Sequence, residues 1–117
     1  MLGDTLTITL GGSGGTAKVL PKINQDGYSA EYLLRETLQS FSAKVSHGSG
    51  SIGRDRHYVE FKQTVFATAN EDEHIMTCSS VILNGSDEVV DDVTDLQLAL
   101  SYYLDATTTP KIVGWES

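Results

Sequence analysis

In the stretch RHYVEFKQTVF, residues 56–66, the residues able to do chemistry recur at every second position: Arg56, Tyr58, Glu60, Lys62 and Thr64. Two cations, an aromatic ring and small hydrogen-bonding groups make up a more specific surface than a merely solvated face needs. Val59, Phe61 and Val65 fill positions between them, so the stretch has the period-two alternation of a half-buried β-strand. The pattern predicts a sheet with one face for a core and one face for a ligand.

Four other constellations invite a chemical reading and fail it. Asp91, Asp92 and Asp95 spell DDxxD, a magnesium-holding pattern of prenyl-diphosphate enzymes, but such enzymes need a large all-helical cavity. Here these are first-turn acids favoured by a helix dipole. His74 and Cys78 have ligand-like spacing, yet in a strand four residues span about 13 Å, too far to share one metal. Gly12, Gly14 and Ala17 match the G-x-G-x-x-A dinucleotide fingerprint, but Lys18 to Pro21 is β-like and Pro21 would break the helix that a pyrophosphate requires. His47, His57 and His74 read as strand residues with ordinary hydrogen bonds. No nucleophile, base and orienting acid assemble, so the expectation is a non-enzyme without cofactor or metal.

A length of 117 residues predicts one domain with a single core. The lone Cys78 excludes an intramolecular disulfide, no secretory signal opens the sequence, and no apolar run is long enough to span a bilayer. A soluble protein kept in a reducing cytoplasm is expected, with no membrane partner. The net charge is −8 but unevenly spread. Residues 1–62 carry seven Lys and Arg against six acids, and residues 63–117 carry one against ten. A local basic patch on an acidic protein is compatible with that division.

The elements that must position these residues follow in order. DTLTITL, GGSGG and TAKVL read as strand, turn and strand, a β-hairpin within residues 1–23. NQDG at 24–27 is a turn signal, and YSAEYLL at 28–34 is ambiguous between a strand and a helical turn. Phe41, Ala43, Val45 and His47 alternate with Ser42, Lys44 and Ser46, and GSGSIGRD at 48–55 reads as a mobile loop into the 56–66 strand. Centring that hairpin near Ser51 places Lys44 opposite Tyr58, Ser46 opposite Arg56 and Phe41 opposite Phe61. The acidic turn NEDE leads to a third long strand, 73–84, with Val81 and Leu83 toward the core and Met76, Cys78 and Ser80 toward the ligand face. The antiparallel sheet is assigned to residues 28–84.

After Ser86, an expected N-cap followed by Asp87 and Glu88, the period becomes about 3.6 through Val89, Val93, Leu96, Leu100 and Tyr103. Leu98 and Tyr102 form a second apolar stripe, wider than one sheet face covers, so a partner chain is expected against it. Thr107 to Pro110 ends the helix, and Lys111 to Trp115 reads as a short second one, within a helical part at 86–117. The fold class is α+β.

The Gly-rich hairpin TITLGGSGGTAKVLPKIN, the RHYVEFKQTV strand, the third long strand and the amphipathic C-terminal helix resemble, in pattern and order, the coat proteins of single-stranded RNA bacteriophages. The resemblance covers nearly the whole chain. It implies an N-terminal hairpin and five antiparallel strands that pair across an obligate homodimer into one sheet, with the helices of each subunit covering the partner's sheet. It further implies that such dimers build an icosahedral capsid around the genome, in the virion and assembled in the bacterial host cytoplasm. By position, Lys44, Ser46, Arg56, Tyr58, Lys62 and Thr64 would grip an RNA stem-loop on the inward face. Val93, Leu96, Leu100 and Tyr103 would lie at the dimer interface. Glu71, Asp72 and Glu73 would form the inter-dimer loop at the symmetry axes, repelling one another unless protonated or bridged by a cation. Family members commonly stack a base on an aromatic residue of the third long strand; 73–84 has none, and Tyr58 is the ring available. The competing reading is a small non-viral α+β binding module that uses its polar sheet face for a peptide or small ligand. Closed particles containing RNA, against a stable small species, separate the two.

Overall fold

The structure, a computed structural model, describes residues 3–49, 54–85 and 89–114. The chain divides into two compact units, Met1–Leu83 and Asn84–Ser117. The first is built on a six-stranded meander in sequential order: β1 (Thr5–Leu10), β2 (Thr16–Gln25), β3 (Ser29–Arg35), β4 (Gln39–Ser49), β5 (Arg54–Val65) and β6 (His74–Gly85). The expected hairpin plus five strands is therefore corrected to six strands in all, because one strand serves two ladders. The first part of β2 pairs antiparallel with β1, Leu6 opposite Leu20 and Thr5 opposite Pro21. From Lys22, opposite Tyr32, it pairs with β3, with a register shift between Lys22 and Asn24. Pro21 sits where the ladder changes hands, a position that tolerates its missing N–H. Lys22 resumes the bonding by donating its N–H to the Asp4 carbonyl at 2.8 Å.

The GGSGG turn closes by backbone bonds, Gly12 N–H to the Thr9 carbonyl (3.1 Å) and Gly15 N–H to the Gly12 carbonyl (2.9 Å). Gly12 has φ 77°, and a Cβ on Gly15 would stand 1.8 Å from the Leu10 carbonyl oxygen. That close approach, and not phosphate binding, accounts for the glycines. YSAEYLL resolves as strand β3, with Ala30 and Tyr32 buried. The core joins Ile8 and Leu20 of the hairpin to Ala30, Tyr32, Phe41 and Ala43, with Leu6 and Leu34 packed beside them. The Tyr32 hydroxyl satisfies itself by donating to the Gly3 carbonyl at 2.9 Å. Lys18 reaches from β2 to Glu36 in the β3–β4 turn at 3.1 Å and lies 5.6 Å from the Phe41 ring centroid.

The β4–β5 hairpin keeps the expected faces and changes the expected register. Lys44 lies opposite Glu60, Ser46 opposite Tyr58 and Phe41 opposite Gln63. The hairpin is centred one position later than Ser51, which displaces every pair by two residues. A slip of two leaves each side chain on its own face, so burial alone could not have distinguished the registers. The strands also run out to Ser49 and Arg54, into both ends of the segment anticipated as a loop at 48–55; residues 50–53 lie outside the described residues. In β6 the expectation that Val81 and Leu83 are core residues is not met within the chain. Both are exposed while Ile82 is half-buried, because β6 ends the sheet and has a neighbour on one side alone.

In the second unit, α1 spans Val90–Tyr103 with Val89 as N-cap and without a side-chain cap bond. The helix thus starts later than an N-cap at Ser86 would give; Ser86, Asp87 and Glu88 lie outside the described residues. Asp91 and Asp92 do occupy the first turn, where the dipole favours them. The second helix, α2, is Thr108–Val113, earlier than expected. Pro110 falls in its first turn, where no N–H partner is needed, so it admits the helix instead of ending one. Asp105 Oδ1 accepts from the Thr107 and Thr108 N–H groups at 2.9 and 2.8 Å. Those bonds hold its carboxyl below the ordinary range.

Candidate nucleic-acid interface

Alternation along β4 and β5 puts the hydrophobic and polar sets on opposite faces. Phe41, Ala43 and Val45 are buried, while Lys44 and Ser46 share the other face with Arg56, Tyr58, Lys62 and Thr64 in adjoining positions. All six sequence-predicted residues are therefore brought together on one sheet face. Across three strands the face forms rows: Glu31, Lys44 and Glu60 in one, Leu33, Ser42 and Lys62 in the next, and Ser29, Ser46 and Tyr58 on the far side. A shallow depression lined by Ile23, Glu31, Ser42, Lys44, Glu60 and Lys62 lies at its centre.

Glu60 organises this surface. One of its carboxylate oxygens accepts from the Tyr58 hydroxyl at 2.9 Å, and the other lies 3.6 Å from the Lys62 ammonium. Arg56 stands with its guanidinium 5.5 Å from the Tyr58 ring centroid. The phenol is thereby held between a cation and a carboxylate, pre-set as a flat platform. Two contributors from β3 escaped the sequence reading. Arg35 belongs to the same face, opposite Ser40, and lies 5.2 Å from the Phe66 ring; Glu31 faces Lys44. The alternation of β3 contains both, but only once that segment is known to be a strand. Arg54, at the start of β5, alternates onto the same face, so Arg35, Lys44, Arg54, Arg56 and Lys62 set five positive charges against the two of Glu31 and Glu60.

The other predicted residues are placed but not joined into one site. Glu71, Asp72 and Glu73 are exposed in a loop anchored by Thr68, whose N–H donates to the Glu71 carbonyl at 2.8 Å and whose hydroxyl accepts from the Glu71 N–H at 3.2 Å. Val93, Leu96, Leu100 and Tyr103 lie on α1, with Val93 half-buried and the others exposed. His74 and Cys78 are both exposed on β6. Among the described residues, no group of three or more His, Cys, Asp or Glu is placed to hold a metal, and no helix is long and apolar enough to cross a membrane.

Comparison with known proteins matches this architecture to one kind of molecule. A family model described as phage phiCb5 coat protein matches residues 3–85, hairpin through β6. No curated protein matches the chain by sequence. Among solved structures, the coat protein of bacteriophage EMS014 superposes with a TM-score of 0.74 at 15% identity, over 89% of this chain and 74% of that one. The virus-like particle of bacteriophage AVE019 gives 0.74 at 10% identity, over 96% and 94%. An unassembled virus coat protein dimer, described as a bacteriophage RNA-binding dimer, gives 0.65 at 15% identity, over 95% and 94%. At such identities these structures share the fold alone. The family match spans well over half the sequence, and the chain belongs to the family of the phage phiCb5 coat protein: it is a structural capsid protein of an RNA phage and not an enzyme.

Proposed function

We propose that this coat protein dimerises, assembles into an icosahedral shell and binds stem-loops of the single-stranded RNA genome through Lys44, Ser46, Arg56, Tyr58, Lys62 and Thr64. The observation that carries the reading is the segregation of charge. A protein of net charge −8 places five of its eight Lys and Arg on one face of β3, β4 and β5. The solved dimer described as RNA-binding has the same fold. Cations here would meet phosphates, Tyr58 would stack an unpaired base, and the serine and threonine hydroxyls would bond sugar and base edges.

Dimerisation is supported by what the single chain leaves uncovered. No residue of α1 is buried, and Leu96, Leu98, Leu100 and Tyr102 are exposed along it. Exposed Ile75, Met76, Val81 and Leu83 lie on β6, an outer strand of the sheet. An apolar outer strand and an uncovered amphipathic helix are surfaces that a second copy buries. Both units then work as one coat domain, 1–117, in the virion, with assembly in the host cytoplasm and Glu71, Asp72 and Glu73 at the inter-dimer contacts. Filter binding of RNA stem-loops to purified dimers tests the site. Lys44→Ala, Arg56→Ala and Lys62→Ala should each weaken binding and flatten its salt dependence; three variants that all keep wild-type affinity and slope would remove the face as the RNA site.

A further inference from the structure

We propose that His47 and His57, on the sheet face opposite the cationic one, form a two-imidazole site for a divalent transition metal ion such as zinc. The two residues are cross-strand partners in β4 and β5. His47 donates its N–H to the Tyr28 carbonyl of the neighbouring chain segment at 2.8 Å, so its backbone groups point toward β3. Toward β5 it is therefore in a non-hydrogen-bonded pair, the arrangement in which opposed side chains come closest. The imidazoles meet with Nδ1 2.8 Å from Nδ1, ring centroids 5.1 Å apart and planes at 70°.

In the metal-free protein, one Nδ1 donates a single proton to the other, which fixes the rings as opposite tautomers. Both lone pairs become available once that proton moves to Nε2 of its own ring. Zinc–imidazole bonds are about 2.0–2.1 Å, so a tetrahedral ion separates two nitrogen ligands by roughly 3.4 Å. The rings need open by only about 0.6 Å. His47 is exposed and His57 half-buried, which leaves room for that rotation and for water in the remaining coordination positions. Asp55, two residues from His57 on the same face, adds a negative charge to the approach. Imidazole nitrogens select zinc, copper or nickel over calcium or magnesium. The site depends on neither RNA binding nor the dimer, since both ligands come from one hairpin.

Zinc chloride titrated calorimetrically into the full-length protein should show one ion bound per chain. His47→Gln and His57→Gln should each lower the affinity at least about tenfold, a ligand being worth more than the outer-shell partners whose loss costs about 10–100-fold. His74→Gln should leave it unchanged. In the wild-type protein, zinc should shift the imidazole nitrogen resonances of His47 and His57 and spare those of His74, a readout that needs no variant to fold. Absence of binding at millimolar zinc, wild-type affinity in both Gln variants, or resonance shifts confined to His74 would overturn the assignment.

Discussion

Glu60 is the residue at which the RNA-binding proposal can be tested most sharply, because it restrains the groups thought to grip the ligand. Its carboxylate lies 3.6 Å from Lys62, opposes Lys44 across the strands and accepts the Tyr58 hydroxyl. The Lys62 side chain is 42% exposed, and an ion pair that open to solvent contributes less than about 1 kcal/mol. Lys62 can therefore leave Glu60 for a phosphate at little cost. Each phosphate contact contributes about 0.7–0.9 to the log–log salt slope, which over a fourfold rise in salt is about threefold in affinity. Lys62→Ala should thus flatten the slope by that amount per contact and weaken binding equally for all sequences. Glu60→Gln should do the opposite, tightening binding several-fold at low salt because Lys44 and Lys62 no longer share a carboxylate. Both are read by filter binding at a series of salt concentrations. If Glu60→Gln binds no more tightly than wild type, or Lys62→Ala keeps its slope, the two lysines do not contact phosphate.

In the hairpin core, Leu20 is fully buried against Tyr32 and Phe41, and Leu20→Ala should destabilise the fold by about 2–5 kcal/mol in denaturant titration. Leu100→Ala should cost a similar amount only in the dimer, lowering the thermal midpoint and steepening its dependence on protein concentration; unchanged melting and assembly would place Leu100 outside the interface. Glu36 is held below its ordinary value of 4.5, first by the Lys18 hydrogen bond and then by Gln39. A depressed folded-state value means that this stabilisation is present above pH 4.5 and fades as pH falls through the folded value, so Glu36→Gln should flatten the stability profile in that acid window. If Glu71, Asp72 and Glu73 meet at the inter-dimer contacts as proposed, Glu71→Gln with Asp72→Asn should raise the melting temperature of assembled particles at low salt and leave that of dimers alone.

Local periodicity carried most of the fold. Alternation at 41–47 and 56–65 assigned the faces of β4 and β5 correctly, because a side chain's face depends on parity alone. Register depends instead on the turn, where Gly and Ser impose no single geometry, and there the pairing came out two residues away. YSAEYLL could not be resolved as β3 locally, since the burial of Tyr32 beneath Leu20 depends on a hairpin distant in sequence. With β3 unassigned, Arg35 and Glu31 could not be seen to join the polar face. At the helix start Ser86 has the better capping chemistry, yet α1 begins after Val89 without a side-chain cap.

The uneven distribution of charge along the sequence acquires a spatial meaning from the sheet. Seven of the eight cations fall in residues 1–62, but they do not act as one patch. Lys18 and Lys22 are committed elsewhere, to Glu36 and to Gln25, whereas Arg35, Lys44, Arg54, Arg56 and Lys62 share one face of the strands that follow. The acids of residues 63–117 lie beyond β5, in the loop at 71–73, on α1 and in the segments around it. Screening by salt acts over about 8–10 Å at physiological ionic strength, so RNA held against the β4–β5 face would respond first to the five cations and two carboxylates on that face. An acidic net charge and an RNA-facing surface are thus compatible in one chain, and the acidic surplus itself would disfavour RNA on every other surface.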